Sequence, residues 1–269
     1  MATYPTDLRS SFAHTTVAEA MRPGVVMCGA EQRLPVVAAT MASQSIHTVV
    51  VPSVHGGEAL EITDLDLVRA GLGGALGETA GDIARDPMST IAPAGTLEHA
   101  TATMATLDVA HLLVRDAGSD WPEGVLSSLD IVSVLSGRDP RIIRPAPARP
   151  PVSASRLSDV TVGDVMHTGL ITCLPDTPLH ELAGRMADLR VHCIAVSGVG
   201  TLPDGDAHLV WGLVSDMDLV HAAHRGRLGT AAGELAATRP FALPEDATLE
   251  RAAILMASHD VAHVVAVGP

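Results

Sequence analysis

Apolar residues follow the same order four times along this chain. In each copy a leucine is followed seven residues later by a methionine, and a histidine then opens the next apolar run. The four sets are Leu34, Met41 and His47; Leu97, Met104 and His111; Leu179, Met186 and His192; and Leu249, Met256 and His263. The first copy recurs 145 residues later as the third, and the second recurs 152 residues later as the fourth. Repeats of this length indicate one supersecondary unit that buries its apolar face against neighbouring copies.

Each copy predicts the same succession of helices and strands. The spacing i, i+3, i+4 and i+7, as in Leu249, Ala252, Ala253 and Met256, predicts an amphipathic helix. A short helix and a short β-like stretch precede this helix, and the apolar run after the histidine predicts a strand. A polar turn, a second strand and a second helix follow in the first three copies. The unit is therefore helix–strand–helix–strand–strand–helix.

The repeats divide the chain into two halves, 14–137 and 156–269. The predicted repeats are about 14–72, 78–137, 156–226 and 229–269, and the Arg- and Pro-rich stretch 138–155 is the predicted linker. The offset grows from 145 to 152 between His192 and Ser215, so the seven additional residues fall in Ser197–His208, which we predict to be a surface loop. In the fourth copy the sequence stops after the strand that follows His263. We therefore expect an unpaired strand edge there, and lower stability for 156–269 than for 14–137.

Composition narrows the classes of function. The net charge of −14 argues against a nucleic-acid-binding surface, because phosphate contacts need clustered Lys and Arg. The apolar runs are shorter than the roughly 20 residues that a membrane helix needs, and the first residues show no secretory signal. Three cysteines, Cys28, Cys173 and Cys193, lie in apolar segments, which favours free thiols in a reducing compartment. We therefore predict a cytoplasmic protein.

A hydroxyl residue and an aspartate stand three residues apart where a strand meets a helix in the three complete copies. These pairs are Thr63/Asp66, Ser127/Asp130 and Ser215/Asp218. One interpretation is a capping box, in which the hydroxyl satisfies free N–H groups at the start of the helix. The other is a ligand site, because a helix N-terminus with a hydroxyl suits a phosphate and a carboxylate can accept two hydrogen bonds from a ribose diol.

The chain resembles the cystathionine β-synthase (CBS) domain family, whose domains typically occur in pairs called Bateman modules. The resemblance covers nearly the whole chain. It rests on the helical motifs that end at Met21 and Met166, on the stretch His-Leu-Leu-Val-Arg-Asp from His111, and on the hydroxyl-x-x-Asp pairs. It implies an α/β (α+β) fold of four tandem repeats, arranged as two pseudo-twofold pairs, with small mixed sheets packed against helices and an incomplete fourth repeat.

The resemblance also implies ligand-binding residues. In similar proteins the equivalent pairs bind adenosyl ligands, so Asp66, Asp130 and Asp218 would hold ribose while Thr63, Ser127 and Ser215 would contact phosphate. His47, His111 and His192 occupy positions at which related proteins, such as the gamma subunit of AMP-activated protein kinase, often place a His or Arg that faces the phosphates of the ligand. Hydrogen-bonded histidines at a strand entrance are the alternative. The residues after these histidines are Thr48, Leu112 and Cys193, where strong nucleotide binders carry arginine. Adenosine, AMP or S-adenosylmethionine would therefore need fewer basic side chains than a triphosphate.

These features together predict a regulatory protein that is not an enzyme. It would sense an adenosyl ligand (AMP, ADP, ATP or S-adenosylmethionine), form a homodimer, and couple occupancy to association or to a regulated partner. The alternative is a structural, homo-oligomerising CBS scaffold without a nucleotide. No catalytic residue, resident cofactor or metal site is predicted, because no nucleophile or phosphate-loop motif is present and His221 and His224 lack a third ligand.

Overall fold

The computed structural model describes residues 14–52, 58–84, 86–119, 121–142, 156–201, 207–236 and 240–268, and these confirm the predicted succession of elements. The helices are α1 (Val17–Ala20), α2 (Leu34–Gln44), α3 (Asp64–Leu72), α4 (Ala80–Ile83), α5 (Leu97–Leu107), α6 (Ser128–Leu135), α7 (Val162–Val165), α8 (Leu179–Leu189), α9 (Asp216–His224), α10 (Ala232–Leu235) and α11 (Leu249–His259). The strands are β1 (Arg22–Pro23), β2 (Thr48–Val51), β3 (Leu60–Thr63), β4 (Thr90–Ile91), β5 (His111–Val114), β6 (Gly124–Ser127), β7 (Thr172–Cys173), β8 (Cys193–Thr201), β9 (Ala207–Ser215), β10 (Ala242–Pro244) and β11 (Val265–Val267). Within these ranges, none of the helices is long and apolar enough to cross a membrane.

The four amphipathic helices α2, α5, α8 and α11 end in the same way. Each stops four residues after the repeated methionine, at a residue in the left-handed conformation whose N–H bonds to the carbonyl of that methionine. The residues are Ser45, Asp108, Arg190 and Asp260, with φ between 52° and 55°. A non-glycine residue in this conformation redirects the chain toward the strand that follows.

The sheets are small and mixed, as predicted. The first strand of a repeat runs parallel to the second in β4–β5, β7–β8 and β10–β11, and the second pairs antiparallel with the third in β2–β3, β5–β6 and β8–β9. In the first repeat the leading strand is reduced to a bridge between Met27 and Val50. Strand β1 pairs with the edge of β6. This close approach requires a glycine at position 124, because a Cβ atom there would lie 2.3 Å from the carbonyl oxygen of Arg22.

The prediction of a surface loop at Ser197–His208 is wrong for most of its length. Strands β8 and β9 form a hairpin that extends from the pair Cys193 and Ser215 to the pair Thr201 and Ala207. Within Ser197–His208, residues 202–206 lie outside the described part of the chain. Val, Thr, Leu and Trp in these segments favour strand, and they outweigh the loop tendency of the glycines. The additional seven residues therefore lengthen a hairpin.

The chain divides into two compact units that interleave along the sequence. Among the described residues, unit 1 contains 14–25, 89–119, 121–142, 170–201 and 207–236, and unit 2 contains 26–52, 58–84, 86–88, 156–169 and 240–268. Unit 1 thus holds most of the second and third repeats, and unit 2 holds most of the first and fourth. Of the predicted linker, residues 143–155 lie outside the described part. The two halves 14–137 and 156–269 remain a prediction about how the repeats pair.

The short leading helix of every repeat packs on the other repeat of its predicted pair. The first contact is a hydrogen bond from Val17 N to the Gly95 carbonyl at 2.8 Å, and Ala80 N returns one to Gln32 at 2.7 Å. The second half repeats this exchange, since Val162 N bonds to Ala247 at 2.8 Å and Ala232 N to Thr177 at 2.9 Å. The exchange of leading helices explains why 14–25 falls in the unit of the second repeat and 156–169 in the unit of the fourth.

Candidate functional site

The three hydroxyl-x-x-Asp pairs form capping boxes at the starts of α3, α6 and α9. In each box the aspartate Oδ2 accepts two hydrogen bonds, one from the backbone N–H and one from the hydroxyl of the residue three before it. These bonds measure 2.8 and 2.6 Å at Thr63/Asp66, 2.8 and 2.7 Å at Ser127/Asp130, and 2.8 and 2.8 Å at Ser215/Asp218. The capping interpretation is therefore confirmed.

The same box occurs where no ligand site was predicted. Thr161 and Asp164 form it at the start of the four-residue helix α7, with hydrogen bonds of 2.9 and 2.7 Å. The box alone consequently does not distinguish a ligand site from a helix cap. What does distinguish the boxes is the surroundings of the second carboxylate oxygen, Oδ1, which takes no part in the cap.

The Oδ1 atoms of the three aspartates have different neighbours. Asp66 Oδ1 lies 3.6 Å from Arg69 Nη1 on the same helix, and Asp130 Oδ1 lies 3.4 Å from Arg22 Nε on β1. Asp218 Oδ1 has no hydrogen bond or ion pair with any residue that the structure describes. The box of the third repeat is therefore the one whose carboxylate keeps an open acceptor.

Asp130 is the most deeply buried of the three aspartates, with 1% of its surface exposed. Burial raises the pKa of its carboxyl group, while Arg22 and the hydrogen bonds from Ser127 act in the opposite direction. The nearby Arg190 guanidinium has its pKa lowered, first by burial and then by the positive charge of Arg22. The box of the second repeat thus lies in a crowded, poorly hydrated environment of one acid and two arginines.

Two of the three predicted histidines are held by an aspartate that the sequence analysis did not single out. His47 Nδ1 lies 2.8 Å from Asp64 Oδ2, and His192 Nδ1 lies 2.6 Å from Asp216 Oδ2. Both aspartates directly follow the hydroxyl residue of the adjacent box, so the motif is hydroxyl-Asp-x-Asp in these repeats. The recurrence of this aspartate 152 residues later, at Asp64 and Asp216, was the sequence signal that could have identified the His–Asp contacts.

The second repeat departs from this arrangement and is connected to the third instead. It has Ser128 where the others have aspartate, and Ser128 Oγ donates to Asp216 Oδ2 at 2.8 Å. Asp216 is buried, with 5% of its surface exposed, and its Oδ2 contacts both His192 and Ser128. His111 stands opposite Ser127 in the register of β5 and β6. Unit 1 therefore brings the boxes of the second and third repeats together at the starts of α6 and α9.

The three cysteines are free thiols, as predicted. Burial raises the pKa of each, and for Cys193, which follows His192 and lies near the charge of Asp216, the pKa reaches about 11. A thiol with so high a pKa is a poor nucleophile at neutral pH. Over the described residues, no group of His, Cys, Asp and Glu side chains is arranged to hold a metal ion.

Comparison with known proteins gives a family match in the third repeat. Residues 162–225, from α7 to just beyond α9, match the CBS domain family. This segment contains His192 and the Ser215/Asp218 box. No curated protein matches the chain.

Several solved structures are similar in fold. They include protein MJ1225 from Methanocaldococcus jannaschii, described as an archaeal homolog of g-AMPK (13% identity, TM-score 0.42, covering 94% of this chain and 93% of that one). A CBS domain pair of protein MJ0100, in complex with 5-methylthioadenosine and S-adenosyl-L-methionine, has 18% identity and a TM-score of 0.42, covering 46% of this chain and 97% of that one. The CBS-domain protein ATU1752 from Agrobacterium tumefaciens has 23% identity and a TM-score of 0.40, covering 45% and 98%.

At these TM-scores the similarity carries no information on ligands or partners. The third repeat, residues 162–225, is a CBS domain.

Proposed function

We propose that this protein is a regulatory CBS-domain protein that senses an adenosyl ligand, and that the box of the third repeat is its principal site. One observation carries the proposal: Oδ2 of Asp218 closes the helix cap while Oδ1 has no partner among the described residues. The capping and ligand-binding interpretations therefore use different oxygens of one carboxylate. A ribose diol can donate to Oδ1 without opening the cap.

The start of α9 favours such a ligand electrostatically. Its N-terminus carries the positive end of the helix dipole, and His192 is positioned beside it by Asp216. The Ser215 hydroxyl is already engaged by Asp218, so a role for it toward phosphate would require that hydrogen bond to break. A ribose contact through Oδ1 of Asp218 needs no such rearrangement.

Asp66 and Asp130 are proposed as secondary sites, because each Oδ1 already faces an arginine. A ligand would have to displace Arg69 or Arg22 to reach them. We propose further that binding changes the packing of the repeats and thereby the association of this protein with itself or with a regulated partner, without catalysing a reaction. The coupling cannot exceed the difference in ligand affinity between the two packing arrangements.

Titration calorimetry with AMP, ATP and S-adenosylmethionine tests the proposal. We expect Asp218→Ala to weaken binding by about tenfold or more, since a hydrogen bond to a charged group contributes roughly 1.5–3 kcal/mol. The matched control is Asp164→Ala, which removes the same capping box from α7, where no ligand is proposed. Equal affinity in both variants, or no heat with any of these ligands, would falsify the sensor.

The second candidate is a structural CBS scaffold that associates with itself and binds no nucleotide. The observation that favours it is that every box is fully formed as a helix cap, so helix stability alone accounts for the motif. Sedimentation velocity with and without AMP separates the two candidates. A scaffold has the same association state in both conditions and retains it in Asp218→Ala.

A further inference from the structure

Unit 1 contains a cavity of about 270 Å³ between α6 and α8, near the Asp130 box but lined by other residues. Its charged and polar walls are Arg22, Arg138, Arg190, Asp139, Asp188 and Ser133. Three guanidinium groups therefore line one cavity in a protein whose net charge is −14. Since a water molecule occupies about 30 Å³ in the liquid, the cavity has room for a phosphate or carboxylate group with a small organic substituent.

The acidic groups around this cavity are already paired. Arg138 Nε donates to Asp188 Oδ1 at 2.7 Å, and its Nη2 also bonds to Asp188. Asp139 accepts from Arg141 Nε at 3.0 Å and from its Nη2 at 3.1 Å. These pairs neutralise the two acids that line the cavity, so the carboxylates do not make it a cation site.

Arg190 is the cation that remains. Its guanidinium is half-buried and has no hydrogen bond or ion pair with any residue in the described part of the chain, although Asp130 attracts it from a longer distance. Its backbone is the left-handed residue that ends α8. A partly desolvated arginine without a partner is costly, and a bound anion would remove that cost.

Arg138 is fixed against α8 and cannot easily move away. Its guanidinium lies over Gly184, where a Cβ atom would meet Nη1 at 2.6 Å, and Asp188 one turn later holds it by two bonds. Arg22 is held on the opposite side by β1 and by Asp130. Two of the three guanidinium groups are thus positioned before any ligand arrives, which lowers the entropic cost of binding an oxyanion.

We propose that this cavity is a binding site for a small oxyanion, a phosphate or carboxylate group, with Arg190 as the main contact and Arg22 and Arg138 beside it. None of its lining residues belongs to the Ser215/Asp218 box, so the site does not depend on the principal adenosyl site. Because Arg22 also contacts Asp130, an anion in the cavity would compete for Arg22 and loosen its hold on the second box.

The test is a titration of the full chain with inorganic phosphate, and separately with acetate, at constant ionic strength. Binding is measured from the NMR signals of the arginine side chains. Arg190→Asn removes the guanidinium while keeping a residue that accepts the left-handed conformation. We expect it to weaken anion binding about tenfold or more, as for the loss of a charge-assisted hydrogen bond. Arg190→Lys keeps the charge without the fork and should bind with intermediate affinity.

Arg185→Gln is the matched control, because Arg185 lies on the same helix, is exposed and pairs with Glu181 away from the cavity. It changes the net charge of the protein as much as Arg190→Asn and should leave anion affinity unchanged. Preference for phosphate over acetate, or the reverse, identifies the class of oxyanion. Equal affinity in the wild type and in Arg190→Asn, or no binding of either anion by the wild type, overturns the proposal. Phosphate binding that persists in Asp218→Ala separates it from the principal adenosyl site.

Discussion

Helices α8 in unit 1 and α2 in unit 2 occupy equivalent places in their repeats and share the same apolar spacing, but they are buried to different extents. Both bury the residues that face their own sheet, including Met186 and Met41. On α8, Ala183 and Gly184 are also buried, because this face packs against α6. The corresponding Ala38 and Ala39 of α2 are exposed.

The second helical pair shows the same contrast. Leu97 and Met104 of α5 are fully buried in unit 1, whereas their equivalents Leu249 and Met256 of α11 are only partly buried in unit 2. Unit 1 has one continuous core that includes residues of both its repeats, while in unit 2 the apolar residues of the first and fourth repeats form separate clusters. A repeat of this chain therefore buries one face against its own sheet and a second face only against another repeat.

The largest expected effect comes from placing a charge on that second face. Ala183→Asp would bury a carboxylate between α8 and α6, and we expect a loss of about 3–5 kcal/mol in the free energy of unfolding. Ala38→Asp at the equivalent exposed position of α2 should change stability by no more than about 0.5 kcal/mol. Urea unfolding of both variants measures the difference. Similar losses in the two would show that the α2 face is covered in solution and would end the comparison.

A smaller effect is expected from truncating the repeated methionine. Met104→Ala removes a fully buried side chain from α5 and should cost about 3 kcal/mol, whereas Met256→Ala on α11 should cost about 1 kcal/mol, because its side chain is only partly buried. Amide hydrogen exchange offers an independent check, since α11 and β11 should exchange sooner than α5 and β5. Equal protection of the two helices would contradict the difference in packing.

The periodicity of the sequence was enough to predict the elements of each repeat. Leucine and methionine seven residues apart predict the helix and the face that meets its own sheet, and the hydroxyl-x-x-Asp pairs predict the caps. These signals are local, because the residues that interact lie within about two turns of a helix or on adjacent strands. The error at Ser197–His208 was local as well, since glycine-rich segments can pair as strands when their neighbours are β-branched or aromatic.

The surroundings of the candidate sites could not be predicted in the same way. Arg22 meets Asp130 from 108 residues away, and Ser128 meets Asp216 from 88 residues away. Both contacts join different repeats, and a single sequence does not indicate which repeats pack together. The exchange of leading helices adds to the difficulty, because it places Arg22 of the first repeat in the unit that holds the second and third.

The smallest effect we consider is a pH dependence of opposite sign in the two units. Burial raises the pKa of Asp130 in unit 1, whereas the hydrogen bonds from Thr161 lower the pKa of Asp164, which forms the same box in an exposed position of unit 2. For Asp130 the unfolded chain releases its proton first as the pH rises above about 3.9. The free energy of unfolding therefore falls as the pH rises toward the folded pKa of Asp130, and it stays at the lower value above that pKa. For Asp164 the folded state releases its proton first, so its contribution is present above about pH 3.9 and is lost as the pH falls through its folded pKa.

Urea unfolding between about pH 3 and pH 7, the range that spans ordinary carboxyl pKa values, measures both contributions when each aspartate is replaced by asparagine, which does not titrate. The stability of the wild type relative to Asp130→Asn should fall as the pH rises, and its stability relative to Asp164→Asn should rise. A rise in both cases would mean that the ion pair with Arg22 outweighs burial at Asp130. The buried box of unit 1 would then be stabilised by its charge as the exposed box of unit 2 is, and the two boxes would differ in their neighbours but not in the sign of their electrostatics.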